Sequence, residues 1–172
     1  LELTKARLPW LVLALFGGFI SVHVLGIFEP VMDLHPELFF FTPLIAAMAG
    51  NVGVQSSAII VQGLANNTII GPVVERLLKE LSLSLLNGVI LSVILLAGSY
   101  FLLDYEIHVG YTVSIALLSV IIMASLIGTF IPIILNKYGV DPALATGPFI
   151  TTSNDILGIL TYFTIAKIIL GI

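Results

Sequence analysis

Five long apolar runs make up most of this chain, and each is long enough to cross a lipid bilayer. A helix of about 20 apolar residues spans the hydrocarbon core. Helices are favoured over strands because the runs show no alternation and because a helix satisfies its backbone polar groups internally. We therefore predict an all-α integral membrane protein with five transmembrane helices per subunit. The runs cover approximately residues 10–28, 37–65, 81–103, 111–135 and 142–171.

The composition agrees with a membrane protein. Only 9% of the residues are charged, whereas a soluble domain carries about 25%. The absence of cysteine excludes disulfide bonds and thiolate metal sites. We expect a single transmembrane domain over residues 1–172, in a multi-pass protein of the cell membrane. The chain begins with Leu1 rather than Met, which is typical of a fragment of a longer protein.

The basic residues fall on one side of the predicted membrane. Of the six Lys and Arg side chains, only Lys167 lies toward the other side. Because short cytoplasmic segments are enriched in Lys and Arg, this pattern predicts a cytoplasmic N-terminus and an external C-terminus. The remaining five basic residues are Lys5, Arg7, Arg76, Lys79 and Lys137.

The two predicted external connectors are acidic and contain no Lys or Arg. Their carboxylates are Glu29, Asp33, Glu37, Asp104 and Glu106. Unpaired carboxylates at the mouth of a channel raise the local concentration of cations. Alternatively, these connectors are acidic only because the basic residues are kept on the other side, and the sequence leaves both interpretations open.

Asp155 is the most unusual residue, since it lies inside the fifth predicted span. A carboxylate at that depth costs about 2.5–3.5 kcal/mol on insertion scales and usually marks a substrate or ion path. Lys167 is twelve residues further along the same helix, about 18 Å away, and cannot neutralise it. Three interpretations compete: a neutral structural carboxyl group, a proton relay, and an ion-binding carboxylate on a pore. We favour the third.

The rest of the fifth span supports an ion site. At helical spacing, one face carries Pro148, Thr151, Thr152, Asp155 and Gly158. The two threonines would supply oxygen ligands beside the carboxylate. Pro148, with the preceding glycine, would open the helix about one turn below Thr151, and Pro148 and Gly158 are candidates for lining the pore.

The second span carries a matching polar stripe. Asn51 and Gln55 lie on one helix face together with Gln62 and Asn66. Gly50 and Gly53 weaken the helix where the stripe begins, and an irregular helix at membrane depth is tolerated where it lines a wet cavity. We therefore expect freed backbone carbonyls there, which would be suitable ligands for a hard cation. Asn51 is a further metal-ligand candidate, and Gly50 and Gln55 are candidates for lining the pore.

A single carboxylate is a poor cage for a divalent cation, and two copies across a symmetry axis would be better. Closed homodimers are the commonest oligomers. Two Asp155 side chains would repel each other unless a cation lay between them. Magnesium suits a site with few direct ligands, because it dehydrates reluctantly and keeps several waters.

These motifs resemble the transmembrane domain of the MgtE family of magnesium channels, which is related to the eukaryotic solute-carrier magnesium transporters. The resemblance covers essentially the whole chain, and its two long motifs are specific in combination. The matching segments are Pro43-Leu44-Ile45, Gly50-Asn51-Val52-Gly53-Val54-Gln55-Ser56, Asp141-Pro142-Ala143 and Gly147-Pro148-Phe149-Ile150-Thr151-Thr152, followed by Asp155.

The resemblance implies a homodimer whose pore lies near the dimer axis and is lined by the second and fifth helices. It implies that Asp155 is the central ligand for hydrated magnesium and that Asn51 lies near that site. Asp141 matches a cytoplasmic residue where family members bind regulatory magnesium, although it also has the sequence of a helix cap. A cytosolic regulatory domain upstream in the full-length chain is a further expected partner.

We therefore predict a channel or facilitator that takes up a divalent cation, with magnesium as the transported substrate and no organic cofactor or nucleic-acid partner. The alternative is a proton- or sodium-coupled exchanger in which Asp155 alternates between ions. An enzyme is not favoured. An intramembrane aspartyl protease needs two carboxylates at depth, and only Asp155 qualifies; a zinc protease needs a His-Glu-x-x-His motif, which is absent.

Overall fold

A computed structural model describes residues 2–68 and 71–171 and contains six helices in that part of the chain. Five of them are long and apolar enough to cross a membrane, and no strand occurs within the described residues. The predicted all-α fold with five membrane spans is confirmed. The helices are α1 (Glu2–Ile27), α2 (Glu29–Leu34), α3 (Pro36–Ala65), α4 (Val73–Phe101), α5 (Ile107–Lys137) and α6 (Pro142–Leu170).

Several helices begin earlier than the apolar runs that predicted them. Helix α4 starts at Val73, although its apolar run begins near residue 81. Hydropathy detects only the part of a helix that matches the hydrocarbon, whereas the helix itself continues into the polar interface. As a consequence Glu80, which the sequence placed just before the third span, lies two turns inside α4 and is buried.

Prolines and a capping carboxylate mark the starts of α3 and α6. Pro36 occupies the first turn of α3 and Pro142 the first turn of α6. Proline is tolerated there because the first amides of a helix have no intrahelical partner. The carboxylate of Asp141 accepts a hydrogen bond from the backbone N–H of Ala143 at 2.9 Å, which caps α6.

Helix α5 lies at the centre of the bundle and packs against α3, α4 and α6, while α1 packs mainly against α6. The buried face of α5 includes Val113, Val120 and Ala124, all without solvent exposure. By contrast, α1 and α4 present many exposed leucine, valine and phenylalanine side chains. In a bilayer these side chains contact lipid, so their exposure carries no hydrophobic cost.

Aromatic residues join α6 to α3 at the C-terminal end of α6. The Tyr162 hydroxyl donates a hydrogen bond to the Leu38 carbonyl at 2.8 Å. The neighbouring Phe163 stacks on Phe28 with ring centroids 5.3 Å apart. Tyr162 and Phe163 are fully buried. This end of α6 is therefore held by both apolar packing and a hydrogen bond, which fixes the helix rotation that sets the direction of Asp155.

Two glycines allow α3, α5 and α6 to approach closely near the middle of the bundle. A Cβ atom on Gly128 of α5 would collide with the backbone of Gly53 in α3. A Cβ atom on Gly53 would collide with the Asn154 side chain of α6. Small residues at such crossings let helix backbones pack by van der Waals contact, which is the main force between helices in lipid.

We expect Gly128→Ala to destabilise the protein by about 1–3 kcal/mol, because the added methyl group meets backbone rather than a movable side chain. Thermal unfolding in detergent micelles measures this. Gly98→Ala is the matched control, since a Cβ atom there meets nothing within 4 Å. If both variants unfold at the wild-type temperature, the close crossing does not contribute to stability.

Candidate cation site

Helices α3 and α6 enclose an open recess that contains most of the predicted ligands. Its volume is about 420 Å³. The recess brings together the first two residues of the polar stripe, Asn51 and Gln55, and the carboxylate of the fifth span. We call it the Asp155 recess; it is lined by Ala46, Ala47, Gly50, Asn51, Val54, Gln55, Thr151 and Asp155.

Asp155 is half-buried in this recess, and no Lys or Arg among the described residues forms an ion pair with it. In the part of the chain that the structure describes, the only ion pair within 4 Å joins His35 to Glu37, far from α6 in sequence. Asp155 lies 13 residues beyond Pro142, about 20 Å into a straight helix. Its charge thus has no protein counter-ion at a depth where an unpaired charge is costly.

Asn51 and Gln55 form an exposed polar ridge on α3, one turn apart. Asn51 lies 14 residues before Ala65, where α3 ends, which is about 21 Å along the helix. Because α3 ends on the side where α6 begins, Asn51 and Asp155 lie at nearly the same level. An amide oxygen and a carboxylate therefore face one shared space.

The Thr151 hydroxyl is directed back along its own helix. It donates toward the carbonyls of Gly147 and Pro148, each at 3.1 Å. Because the hydroxyl hydrogen is donated to these carbonyls, the lone pairs of the Thr151 oxygen stay available as acceptors or ligands on the recess side. Pro148 itself is half-buried and is not among the residues that line the recess.

The expectation of opened helices is wrong. Helix α3 is continuous through Gly50 and Gly53, and α6 is continuous through Pro148. The glycine at position 53 serves close helix packing instead of a break. The residues that line the Asp155 recess lie within continuous helix, so side-chain oxygens and bound water are the ligands that the recess can offer.

Three predicted residues lie away from the Asp155 recess. The Thr152 side chain packs against Gly17 of α1, where an added Cβ atom would collide with it. Gly158 is buried against α3, and a Cβ atom there would lie 3.3 Å from the Cβ of Ala49. Asp141 is exposed at the start of α6. Its binding of regulatory magnesium stays a prediction.

The sequence did not single out Asn154, which holds the two helices of the recess together. Its side chain is completely buried, and Nδ2 donates to the Ala49 carbonyl of α3 at 3.1 Å. Its Oδ1 is buried without a hydrogen-bond partner. The signal in the sequence was a polar amide directly before Asp155 in an apolar span. In the structure this amide lies opposite Gly53, and a polar side chain opposite a glycine indicates a close helix contact.

A family of known proteins resembles most of this chain. The family model described as "MgtE: Divalent cation transporter" matches residues 42–165, which include most of α3 and most of α6. The chain belongs to the MgtE family. The resemblance seen in the sequence is thereby confirmed, and with it a multi-pass protein of the cell membrane.

Three relatives named "Magnesium transporter MgtE" match nearly the whole chain. The protein from Bacillus subtilis is 40% identical over 161 residues, which cover 93% of this chain and 36% of the relative. The protein from Enterococcus faecalis is 35% identical over 97% of this chain, and that from Thermus thermophilus is 32% identical over 96%. The chain spans little more than one third of the length of these MgtE proteins.

We expect Asn154→Ala to lower the free energy of unfolding by about 1 kcal/mol, since hydrogen bonds between membrane helices contribute about 0.6 kcal/mol on average and up to about 1.7. Thermal unfolding in detergent tests this, with Thr164→Ala, an exposed position on the same helix, as the control. Equal stability of the two variants would mean that Asn154 does not join α6 to α3.

Proposed function

We propose that this MgtE-family chain forms a channel or facilitator for a divalent cation, with magnesium as the transported substrate. The observation that carries the proposal is the Asp155 carboxylate, which shares a recess with Asn51 and Gln55 and has no basic partner among the described residues. A cation would supply the missing counter-charge. The three relatives, each named a magnesium transporter, favour the same ion.

The size and chemistry of the Asp155 recess suit a hydrated ion. Magnesium keeps an octahedral shell and releases its waters reluctantly. At about 30 Å³ per water molecule, an ion with six waters needs roughly 200 Å³, and the recess has a volume of about 420 Å³. The carboxylate and the amide and hydroxyl oxygens would then contact the water shell rather than the bare ion.

We further propose that the working unit is a homodimer with the pore at its axis. One chain offers a single carboxylate to the site, and its polar ridge of Asn51 and Gln55 is exposed at membrane depth. Polar groups that face lipid are unfavourable, and a second copy would cover them. A two-fold axis would place a second Asp155 opposite the first, with the cation between them.

Uptake would run down the electrochemical gradient. A membrane potential contributes about 2.3 kcal/mol per charge per 100 mV, hence about 4.6 kcal/mol for a divalent ion. The orientation we propose, with the N-terminus in the cytoplasm, rests on the positions of Lys and Arg. In this orientation α3 ends and α6 begins at the cytoplasmic side.

The alternative within transport is a proton- or sodium-coupled exchanger. In that case Asp155 would exchange the divalent ion for a proton or sodium in each cycle, and flux would depend on a gradient of that ion. A passive channel needs only the gradient of magnesium and the membrane potential. We propose transport rather than catalysis, because the recess offers an ion ligand set and no nucleophile paired with a base.

We expect Asp155→Asn and Asp155→Ala to lower magnesium uptake at least about tenfold, which corresponds to about 1.4 kcal/mol. Each removes the only charge in the recess. The measurement is uptake into vesicles reconstituted with purified protein. Glu75→Gln is the control, since Glu75 is exposed near the start of α4 and does not line the Asp155 recess.

Undiminished uptake in both Asp155 variants would refute the site. Repeating the wild-type assay without a pH or sodium gradient separates the two transport mechanisms. Flux that persists supports the channel, and flux that stops supports the exchanger.

We expect Thr151→Cys to crosslink between two chains when treated with a short bifunctional thiol reagent. The natural sequence has no cysteine, so this thiol is unique. Val93→Cys, which is 60% exposed on α4 and outside the Asp155 recess, is the control. Crosslinking at Val93 but never at Thr151 would contradict a pore on the dimer axis.

A further inference from the structure

A second polar recess lies on the other flank of α3, between α3, α4 and α5. Its volume is about 440 Å³. We call it the Glu80 recess, after the one carboxylate in its lining. Asn51 and Gln55 line it as well as the Asp155 recess. Its other polar lining residues are Ser56, Ser84, Asn87 and Ser125.

Glu80 is only 8% exposed, and one of its carboxylate oxygens is already positioned. The Ser56 hydroxyl of α3 donates to Oε1 at 2.6 Å. This contact ties α4 to α3 and holds the carboxylate in the recess that it shares with Asn51 and Gln55.

No basic side chain neutralises Glu80 within the described residues. Lys79 directly precedes it and Arg76 lies one turn earlier on α4, but neither forms an ion pair with it within 4 Å. Both line a separate recess near the start of α4, together with Glu75. Glu80 is therefore a carboxylate in a spanning helix that faces a polar space and forms no ion pair, although it differs from Asp155 in having basic residues within one turn.

The two carboxylates lie at successive depths. Glu80 is seven residues after Val73, about 10 Å into α4 from the end where α3 finishes. Asp155 lies about 20 Å from that same end. Asn51 and Gln55 line both recesses. Asn51 lies at the level of Asp155, and Gln55, ten residues before Ala65 and about 15 Å from the end of α3, lies between the two levels. The two carboxylates thus differ in depth by roughly 10 Å, with α3 between them.

We propose that Glu80 is a second binding site for a hydrated divalent cation, and that Asn51 and Gln55 connect it to Asp155. The proposal rests on the proposed transport function and extends it from one ion site to a path with two. In the proposed orientation, Glu80 is the site nearer the cytoplasm. Two adjacent sites favour conduction, because each holds the ion weakly enough for release.

The competing interpretation is that Glu80 only anchors α4 to α3 through Ser56. Two variants separate these roles. Glu80→Gln removes the charge but keeps an oxygen that accepts from Ser56, whereas Ser56→Ala removes the hydrogen bond and keeps the charge. Loss of a cation site in Glu80→Gln but not in Ser56→Ala supports cation binding. Equal losses in both variants would overturn it.

The measurement is magnesium binding by calorimetry on the full chain in lipid nanodiscs. In the proposed dimer, the two Asp155 residues would share one ion, whereas each Glu80 would hold an ion of its own. We therefore expect two classes of magnesium site in the wild type, one with one ion per two chains and one with one ion per chain. Glu80→Gln should lose the class with one ion per chain, and Asp155→Asn the class with one ion per two chains. Glu80→Asp, which keeps the charge, should retain both classes.

Glu75→Gln is the matched control, because Glu75 is exposed on the same helix and lines a different recess. Retention of the shared class in Glu80→Gln also shows that this variant is folded. A wild type with only the shared class would overturn the Glu80 site whatever the variants do. Unchanged uptake in Asp155→Asn would instead refute the proposed function, so the two failures are distinguishable.

Discussion

The close crossing of α3, α5 and α6 at Gly53 is the constraint on which the rest of the molecule depends. Gly128 brings the α5 backbone against the α3 backbone, and Asn154 occupies the space that a side chain at position 53 would need. Asn154 also donates to the Ala49 carbonyl. Asp155 is the next residue on α6, so the contact that fixes Asn154 inward also directs Asp155 into the neighbouring recess.

This arrangement explains how an unpaired carboxylate is held in a membrane domain. The contacts around the recess are ordinary helix packing, and α3 and α6 stay helical along their length, although Pro43 and Pro148 each lack a backbone N–H. On our proposal, an ion would offset the cost of the Asp155 charge. A lysine or arginine partner would remove that cost permanently and leave no affinity for a transported cation.

Much of the fold and part of the site could be predicted from the sequence. Run length and hydropathy predicted the five spans. Helical periodicity placed Asn51 and Gln55 on one face of the second span, and Asp155 was recognised as a carboxylate inside the fifth span. Periodicity gives the direction of a side chain around one helix but not the neighbour that it meets. For this reason Thr152, predicted as a ligand, packs against Gly17 of α1, and Gly158 packs against Ala49.

Glu80 shows a second limit of sequence patterns. Hydropathy placed it outside the third span, since the apolar run begins one residue later, yet its side chain is 8% exposed and bonded to Ser56. Its burial depends on the packing of α3 beside α4, and hydropathy along one segment does not reveal how two helices pack. Helix α3 then separates two carboxylates, with Asn51 and Gln55 exposed to both. Under the two-site proposal, this neutral amide ridge would let a hydrated cation pass without being trapped, because amides bind the water shell but add no charge.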